Sequence, residues 1–330
     1  MGCLLCSPIH CFSQSFDQGP VFSVIEENDL IVRTDRHYTQ GIKLSYLSAD
    51  NDVPRCVARF SDKIYALGFD VQATRFGIEI GQNIYTPSDI SIDKPLPNDR
   101  PYAGWFYTGL VLQRRGLTTH RRIVTLENLQ LDLGVIGPES LANESQSWVH
   151  EMRGFALPKG WRNQLKDEPG LALKYERSWR ISTANESSWG VDLIPRIGAS
   201  LGNVETSARI SATVRAGWHL PDDFGPQTID SLTTAEGGIS KSAPDSSRYG
   251  VYVFAGAQGK AVGYTAFLDG NLFQHSIHVE RDPFVAEFTT GIVLALNPVE
   301  FGVTYVYRTR EFTHQTEHDG YGSIFIKARF

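Results

Sequence analysis

The residues best suited to chemistry in this sequence are few and lie far apart. Gln146 and His150 are four positions apart in Gln146-Ser147-Trp148-Val149-His150, so on a helix they share a face. A neutral imidazole can take a proton from water near neutral pH, which makes His150 a candidate general base. Asn28-Asp29 places two polar side chains at the end of an otherwise apolar run, and Tyr38-Thr39-Gln40-Gly41 opens the next run close by. Asn98-Asp99-Arg100-Pro101 leads into Tyr102-Ala103-Gly104-Trp105. Each has a plainer reading. Asn28-Asp29 can end a strand or cap a turn. His150 can be a surface histidine, Asn98 to Pro101 a turn with an Asp99–Arg100 pair, and Gly134 to Pro138 a strand end. No Gly-x-Ser-x-Gly, His-Glu-x-x-His or phosphate-binding glycine loop is present, so no standard nucleophile, zinc or nucleotide signal is available.

Such dispersed residues need a scaffold that gathers them, and the strand pattern supplies one. In Tyr321 to Phe330, the residues Gly322, Ile324, Ile326, Ala328 and Phe330 alternate with Tyr321, Ser323, Phe325, Lys327 and Arg329, a period of two. Ile210, Ala212, Val214, Ala216 and Trp218 alternate with Arg209, Ser211, Thr213, Arg215 and Gly217, and Phe301, Val303, Tyr305 and Tyr307 with Gly302, Thr304, Val306 and Arg308. Leu171, Leu173, Tyr175, Trp179 and Ile181 form a further apolar face, which Arg177 interrupts without evident reason. Tyr and Trp recur near strand ends, as in aromatic girdles.

Twelve strands are expected, at 21–32, 37–48, 73–86, 102–115, 121–135, 169–182, 188–201, 205–218, 248–265, 274–296, 300–313 and 320–330. Even numbers suit a closed antiparallel barrel, in which every edge is paired and the apolar faces meet lipid. The final aromatic also resembles the C-terminal signature of bacterial outer-membrane proteins. The expected fold is therefore all-β: a twelve-stranded antiparallel transmembrane β-barrel of the bacterial outer membrane. Asn297-Pro298 reads as a tight turn. Long connections fall at 49–72, 87–101, 136–168 and 219–247, the third with helical character. With both termini in the periplasm, 33–36, 87–101 and 136–168 all emerge at the outer rim, and the scattered polar residues converge there.

Composition agrees. The 330 residues carry a net charge of -6, with 41% apolar, 21% charged and 11% aromatic residues and 30 glycines. That is a folded, β-rich profile. The acidic balance argues against nucleic acid as a partner. No run of 18 apolar residues occurs, but a barrel strand needs only about 9–11 residues with every second one apolar. Cysteines stand at 3, 6, 11 and 56. Residues 1–13 read as a signal peptide ending at Cys11-Phe12-Ser13, though without the usual basic start. Residues 14–330 then form one domain. A soluble β-sandwich or ligand-binding barrel would alternate similarly, but the terminal aromatic and the inward Arg and Lys count against it.

Several segments, in order, resemble the LpxR-type lipid A 3'-O-deacylases. They are Glu27-Asn28-Asp29, Asp35-Arg36-His37-Tyr38-Thr39-Gln40-Gly41, Ile84-Tyr85-Thr86-Pro87-Ser88, Asp99-Arg100-Pro101-Tyr102-Ala103-Gly104-Trp105, Leu133 to Pro138, Gln146-x3-His150-x3-Gly154 and Pro158-Lys159-Gly160-Trp161-Arg162-Asn163-Gln164-Leu165. The resemblance implies a calcium-dependent hydrolase that removes the 3'-linked acyloxyacyl group of lipid A near the outer leaflet; a monomer is expected because a closed barrel needs no partner to cover an edge. It implies His150 as general base, Gln146 and Asn28 as orienting groups with Thr39 nearby, and Asp29 as a calcium ligand. Lys94 and Arg100 are the basic residues expected at the substrate. Two positions depart from the pattern. Ala156 stands six residues after the histidine, where a member has Glu, and Ile92 aligns with a basic residue for which Lys94 is the nearest substitute. These departures keep two alternatives open: another outer-membrane lipid esterase of the phospholipase type, or a non-enzymatic porin or scaffold.

Overall fold

Alternation along each strand is the local rule, and closure is its consequence. A computed structural model describes residues 18–29, 37–183, 189–229 and 249–330. The expected leader and the 33–36 segment lie outside the described residues. The strands are β1 (Val21–Asn28), β2 (His37–Leu47), β3 (Phe69–Thr86), β4 (Ala103–Thr118), β5 (Val124–Ile136), β6 (Glu168–Ser182), β7 (Trp189–Gly202), β8 (Glu205–Trp218), β9 (Tyr249–Thr265), β10 (Phe284–Leu296), β11 (Val299–Arg308) and β12 (Asp319–Arg329). Each pairs antiparallel with its sequence neighbours, and β1 closes on β12 with Val21 opposite Arg329 and Asn28 opposite Gly322. The twelve expected strands are the twelve observed.

Several boundaries moved; the eleventh strand, expected to run to 313, ends at Arg308. The tenth strand was expected from 274 but begins at Phe284, directly after Pro283, which has no N–H for a ladder. The third begins at Phe69, ahead of a bulge between Val71 and Ala73. The connection before it also holds a helix that its sequence did not announce, α1 (Arg55–Lys63). The 136–168 connection contains the expected helix, α2 (Ala142–Arg153), flanked by 3-10 turns at Pro138–Ser140 and Trp161–Asn163. A single turn, α3 (Ala266–Asp269), follows β9.

The two faces match the sequence pattern. Ile42, Leu44, Ile78, Ile80, Ile324 and Ile326 are exposed on the outer wall, where lipid covers them. Inward positions are largely polar, and many of their charges are paired. Arg215 is fully buried, with its Nη2 2.7 Å from Asp192 and donating at 2.8 Å to the carbonyl of Pro221, and it is bonded to Asp223. Asp223 belongs to the chain after β8, which turns into the lumen. There Phe224 packs on Leu126 and Ile194, and the amide of Ile229 donates to Glu27 at 2.7 Å. The described part of that connection therefore occupies part of the barrel interior, and two polar cavities remain beside it, one lined by Glu176, Arg196, Thr213 and Gln227 and the other by Tyr85, Arg100, Lys260 and Glu311.

One rim carries the short β4–β5 and β10–β11 turns. The other carries the connections with α2, the 87–102 loop and the 309–318 loop. The first rim also carries the β2–β3 connection with α1 and the β8–β9 connection, and the second a two-residue β7–β8 turn; the first is assigned to the periplasm because the 87–102, 137–167 and 309–318 loops gather at the other.

Candidate active site on the outer wall

Residue parity places the site on the outside of the barrel, at the extracellular rim. Asn28 lies on the same face of β1 as exposed Phe22 and stands opposite Gln40 of β2. Gln40 stands opposite Ile84 of β3, and Ile84 packs with Tyr102, Trp161 and Ala142 of α2. A continuous outward strip thus joins Asn28 to the helix that carries Gln146 and His150. A register shift between Tyr38 and Gln40 brackets Thr39, whose hydroxyl meets that of Thr86 at 2.7 Å. Asp29 follows β1 directly and is buried.

The seat of α2 depends on small and polar residues. Gln82 donates to the carbonyl of Ser140 at 2.6 Å. Gly104 lies under the same turn, and a Cβ there would come within 2.0 Å of Ser140 Oγ and 2.4 Å of Ala142 Cβ. The helix can approach the wall this closely only over a glycine. It starts from Leu141 and ends at Gly154, both in the left-handed region, an end that favours glycine.

Gln146 and His150 both point from α2 into buried surroundings, as their spacing requires. His150 Nδ1 is 2.7 Å from the carbonyl oxygen of Ala156. A carbonyl only accepts, so Nδ1 carries the proton and the neutral ring keeps its lone pair on Nε2. The residue that replaces the expected glutamate therefore still orients the imidazole through its backbone. Phe155 meets the ring edge-on at 5.8 Å between centroids. Gln146 Oε1 accepts from Trp161 Nε1 at 2.7 Å, while its buried Nε2 has no hydrogen-bond partner among the described residues. A buried donor left open is costly unless a ligand meets it. Trp161 had a place in the sequence motif but no role. Its only signal was a tryptophan next to a run of turn residues.

The two basic candidates separate. Lys94 lies on the 87–102 loop, which packs over the Gly160–Asn163 turn: Asn163 donates to the Asp93 carbonyl at 2.7 Å, and Lys159 donates to that of Ile90 at 2.9 Å. Lys94 is thus carried beside the turn that holds Trp161. Arg100 points the other way, with its Nη1 3.0 Å from Glu311 Oε2 and its guanidinium 4.8 Å from the Tyr85 ring. The expected Asp99–Arg100 ion pair is replaced by this one. Asp99 instead accepts from Ser88 and from the backbone amide of Arg100, because the turn needs its donors satisfied locally. Burial would raise the Glu311 carboxyl, but Arg308 and Arg100 outweigh it and hold it down at about 2.

Calcium takes six to eight oxygen ligands, several of them carboxylates in tight sites. Along the strip the described residues offer one buried carboxylate, Asp29, and the Ala156 carbonyl is occupied by His150. No three His, Cys, Asp or Glu residues gather around a metal position among the described residues. This donor set does not by itself fit a calcium ion.

A closed barrel with a lipid-covered belt, a partly filled lumen and a polar strip under a rim helix defines an outer-membrane protein whose candidate site faces the membrane side of its wall. The chain belongs to the family described as outer membrane protein LpxR, whose model matches residues 1–330. Among solved structures it is similar to LpxR from Salmonella typhimurium, at 22% identity and a TM-score of 0.73 over 94% of this chain and 100% of that one. The β domain of the Bordetella autotransporter BrkA aligns at 10% identity and a TM-score of 0.47, over 95% of this chain and 100% of that one. No curated protein sequence matches the chain.

Proposed function

We propose that this barrel is a lipid A deacylase that hydrolyses the 3'-linked acyloxyacyl ester, with His150 as general base. Family membership suggests the deacylase. The observation that carries the residue assignment is the Nδ1-to-Ala156 hydrogen bond, which leaves Nε2 as the basic nitrogen on the outer wall. Nε2 takes a proton from water as the water oxygen attacks the ester carbonyl. The open Nε2–H of Gln146 donates to the oxyanion that forms, and Trp161 fixes that amide's orientation. The tetrahedral intermediate then expels the sugar alkoxide, His150 returns the proton to it, and a free acid departs. Asn28 and Thr39 line the strip where the acyl chain and sugar would lie, and Lys94 is the nearby cation for a lipid A phosphate. Calcium remains the cofactor that the resemblance implies, and no step here is routed through it.

The test is mass spectrometry of lipid A from cells expressing the wild type or His150→Ala, each with calcium and with a chelator. Folding is checked by heat-modifiable gel migration. The wild type is expected to remove an acyloxyacyl mass and His150→Ala to do so about 10²–10⁴-fold more slowly. Unchanged lipid A from folded wild type would overturn the proposal. Loss of activity on chelation would show a calcium dependence that the described donors do not explain.

A further inference from the structure

Arg177 interrupts the apolar face of β6, and its surroundings show why. It points outward, like Leu171 and Leu173 on the same strand, and sits in a cross-strand row of three: Arg114 on β4, Glu127 on β5, Arg177 on β6. Glu127 accepts from Arg114 Nε at 2.7 Å, Arg177 Nη2 at 2.6 Å and the Tyr175 hydroxyl at 2.7 Å. All three charged side chains are buried, although they face away from the lumen. Bare charges on a lipid-facing wall are strongly unfavourable.

The β2–β3 connection covers them. Arg114 Nη1 donates to the carbonyls of Ser61 and Ile64 at 3.3 and 2.8 Å, and Arg177 Nη1 donates to that of Leu67 at 2.6 Å. Phe69 lies across both guanidiniums, with its ring centroid 5.8 Å from Arg114 and 5.0 Å from Arg177. Residues 61–69 are thus fixed against the outside of the wall at the periplasmic rim, below the apolar belt. The connection's outer side is amphipathic. Arg55, Arg59 and Lys63 recur at four-residue spacing on the exposed side of α1, and none forms an ion pair with a described residue. Asp62 is the one acidic residue of that helix. Phe60, Tyr65 and Leu67 are 51%, 79% and 63% exposed. The wall beside the triad stays apolar, with Ile197 exposed opposite Arg177 and Leu110 four residues from Arg114.

We propose that this connection is a binding site for anionic glycerophospholipid in the periplasmic leaflet. Phe60, Tyr65 and Leu67 enter the acyl boundary, continuing the lipid belt, and Arg55, Arg59 and Lys63 hold headgroup phosphates. Basic stripes beside exposed aromatic and aliphatic residues bind membrane surfaces through this division of labour. The site lies on the opposite rim from His150 and does not depend on ester chemistry.

Cys56 is exposed on α1 and reports on it directly. Full-length protein with Cys3, Cys6 and Cys11 changed to serine is labelled at Cys56 with an environment-sensitive fluorophore. It is placed in nanodiscs of phosphatidylethanolamine with and without phosphatidylglycerol, and folding is scored by heat-modifiable migration. The expected result is blue-shifted emission that strengthens with phosphatidylglycerol and is quenched by lipids brominated near the headgroup end of the acyl chain. Arg55→Glu/Arg59→Glu/Lys63→Glu, or Arg59→Glu alone if the triple variant does not fold, should remove the phosphatidylglycerol dependence. Water-like, unquenched emission from the wild type in both lipids would overturn the proposal. Quenching that ignores phosphatidylglycerol and charge reversal would overturn the headgroup site.

Discussion

The lumen and the extracellular strip on the outer wall both bury polar side chains, to opposite effect. In the lumen many large charges are paired with opposite charges: Arg215 with Asp192 and Asp223, Arg308 with Glu287 at 2.5 Å, and Arg100 with Glu311. Those groups are consumed in holding the barrel and its inserted segment together. On the outer strip the candidate groups are only half engaged. His150 is anchored through one ring nitrogen and Gln146 through its oxygen, leaving a basic nitrogen and an amide donor uncommitted. Paired charges tie strands and inserted chain together, whereas an imidazole and an amide with one end anchored and the other open, on the membrane side of the wall, are placed to meet a ligand. The contrast separates scaffold from site more clearly than burial does, since both regions are buried.

A crossed pair of variants tests it most sharply. His150→Ala is expected to lower deacylation about 10²–10⁴-fold with unfolding unchanged. Arg215→Leu should do the reverse, costing about 3–5 kcal/mol in denaturant unfolding because Asp192 and Asp223 stay buried without their cation, while activity per folded molecule is kept. If Arg215→Leu abolished activity in folded protein, the lumen would be part of the site. Gly104→Ala comes next. The added methyl displaces Ser140 and α2, and a shift of about 1 Å at the base is expected to lower kcat on the order of 10²-fold while the strands still assemble. Trp161→Phe removes one hydrogen bond to Gln146, worth about 1 kcal/mol, so kcat should fall several-fold with a smaller change in KM.

The smallest effect concerns the rim. Glu311 is held at about 2, below its ordinary 4.5. Its ion pairs therefore stabilise fully above pH 4.5, and that contribution is lost as pH falls through about 2. Glu311→Gln should be less stable than wild type at neutral pH, and the gap should close across that window in acid unfolding curves. A gap independent of pH would show that packing at position 311, not charge, locks the extracellular mouth.

The barrel could be read almost entirely from the sequence because its cause is local. Alternation along Ile210 to Trp218 or Tyr321 to Phe330 states which side chains meet lipid, and a period of two needs no knowledge of distant neighbours. The helical pairing of Gln146 with His150 was local in the same sense. The start of β10 was misplaced because apolar residues before Pro283 imitate strand, and α1 was missed because nine residues are too few to reveal a helix against a loop.

The sequence by itself determined the strand number, the two faces of the wall, the identity of the candidate base and the helix that carries it. Only the tertiary structure decided that α2 docks on the outside of the wall over Gly104, that Arg100 serves the lumen, that Trp161 positions Gln146, and that Arg177 belongs to a covered ion-pair row. Those four outcomes depend on residues dozens of positions apart meeting across a closed sheet. Periodicity fixes which way a side chain points, but only barrel closure and loop docking fix what it meets.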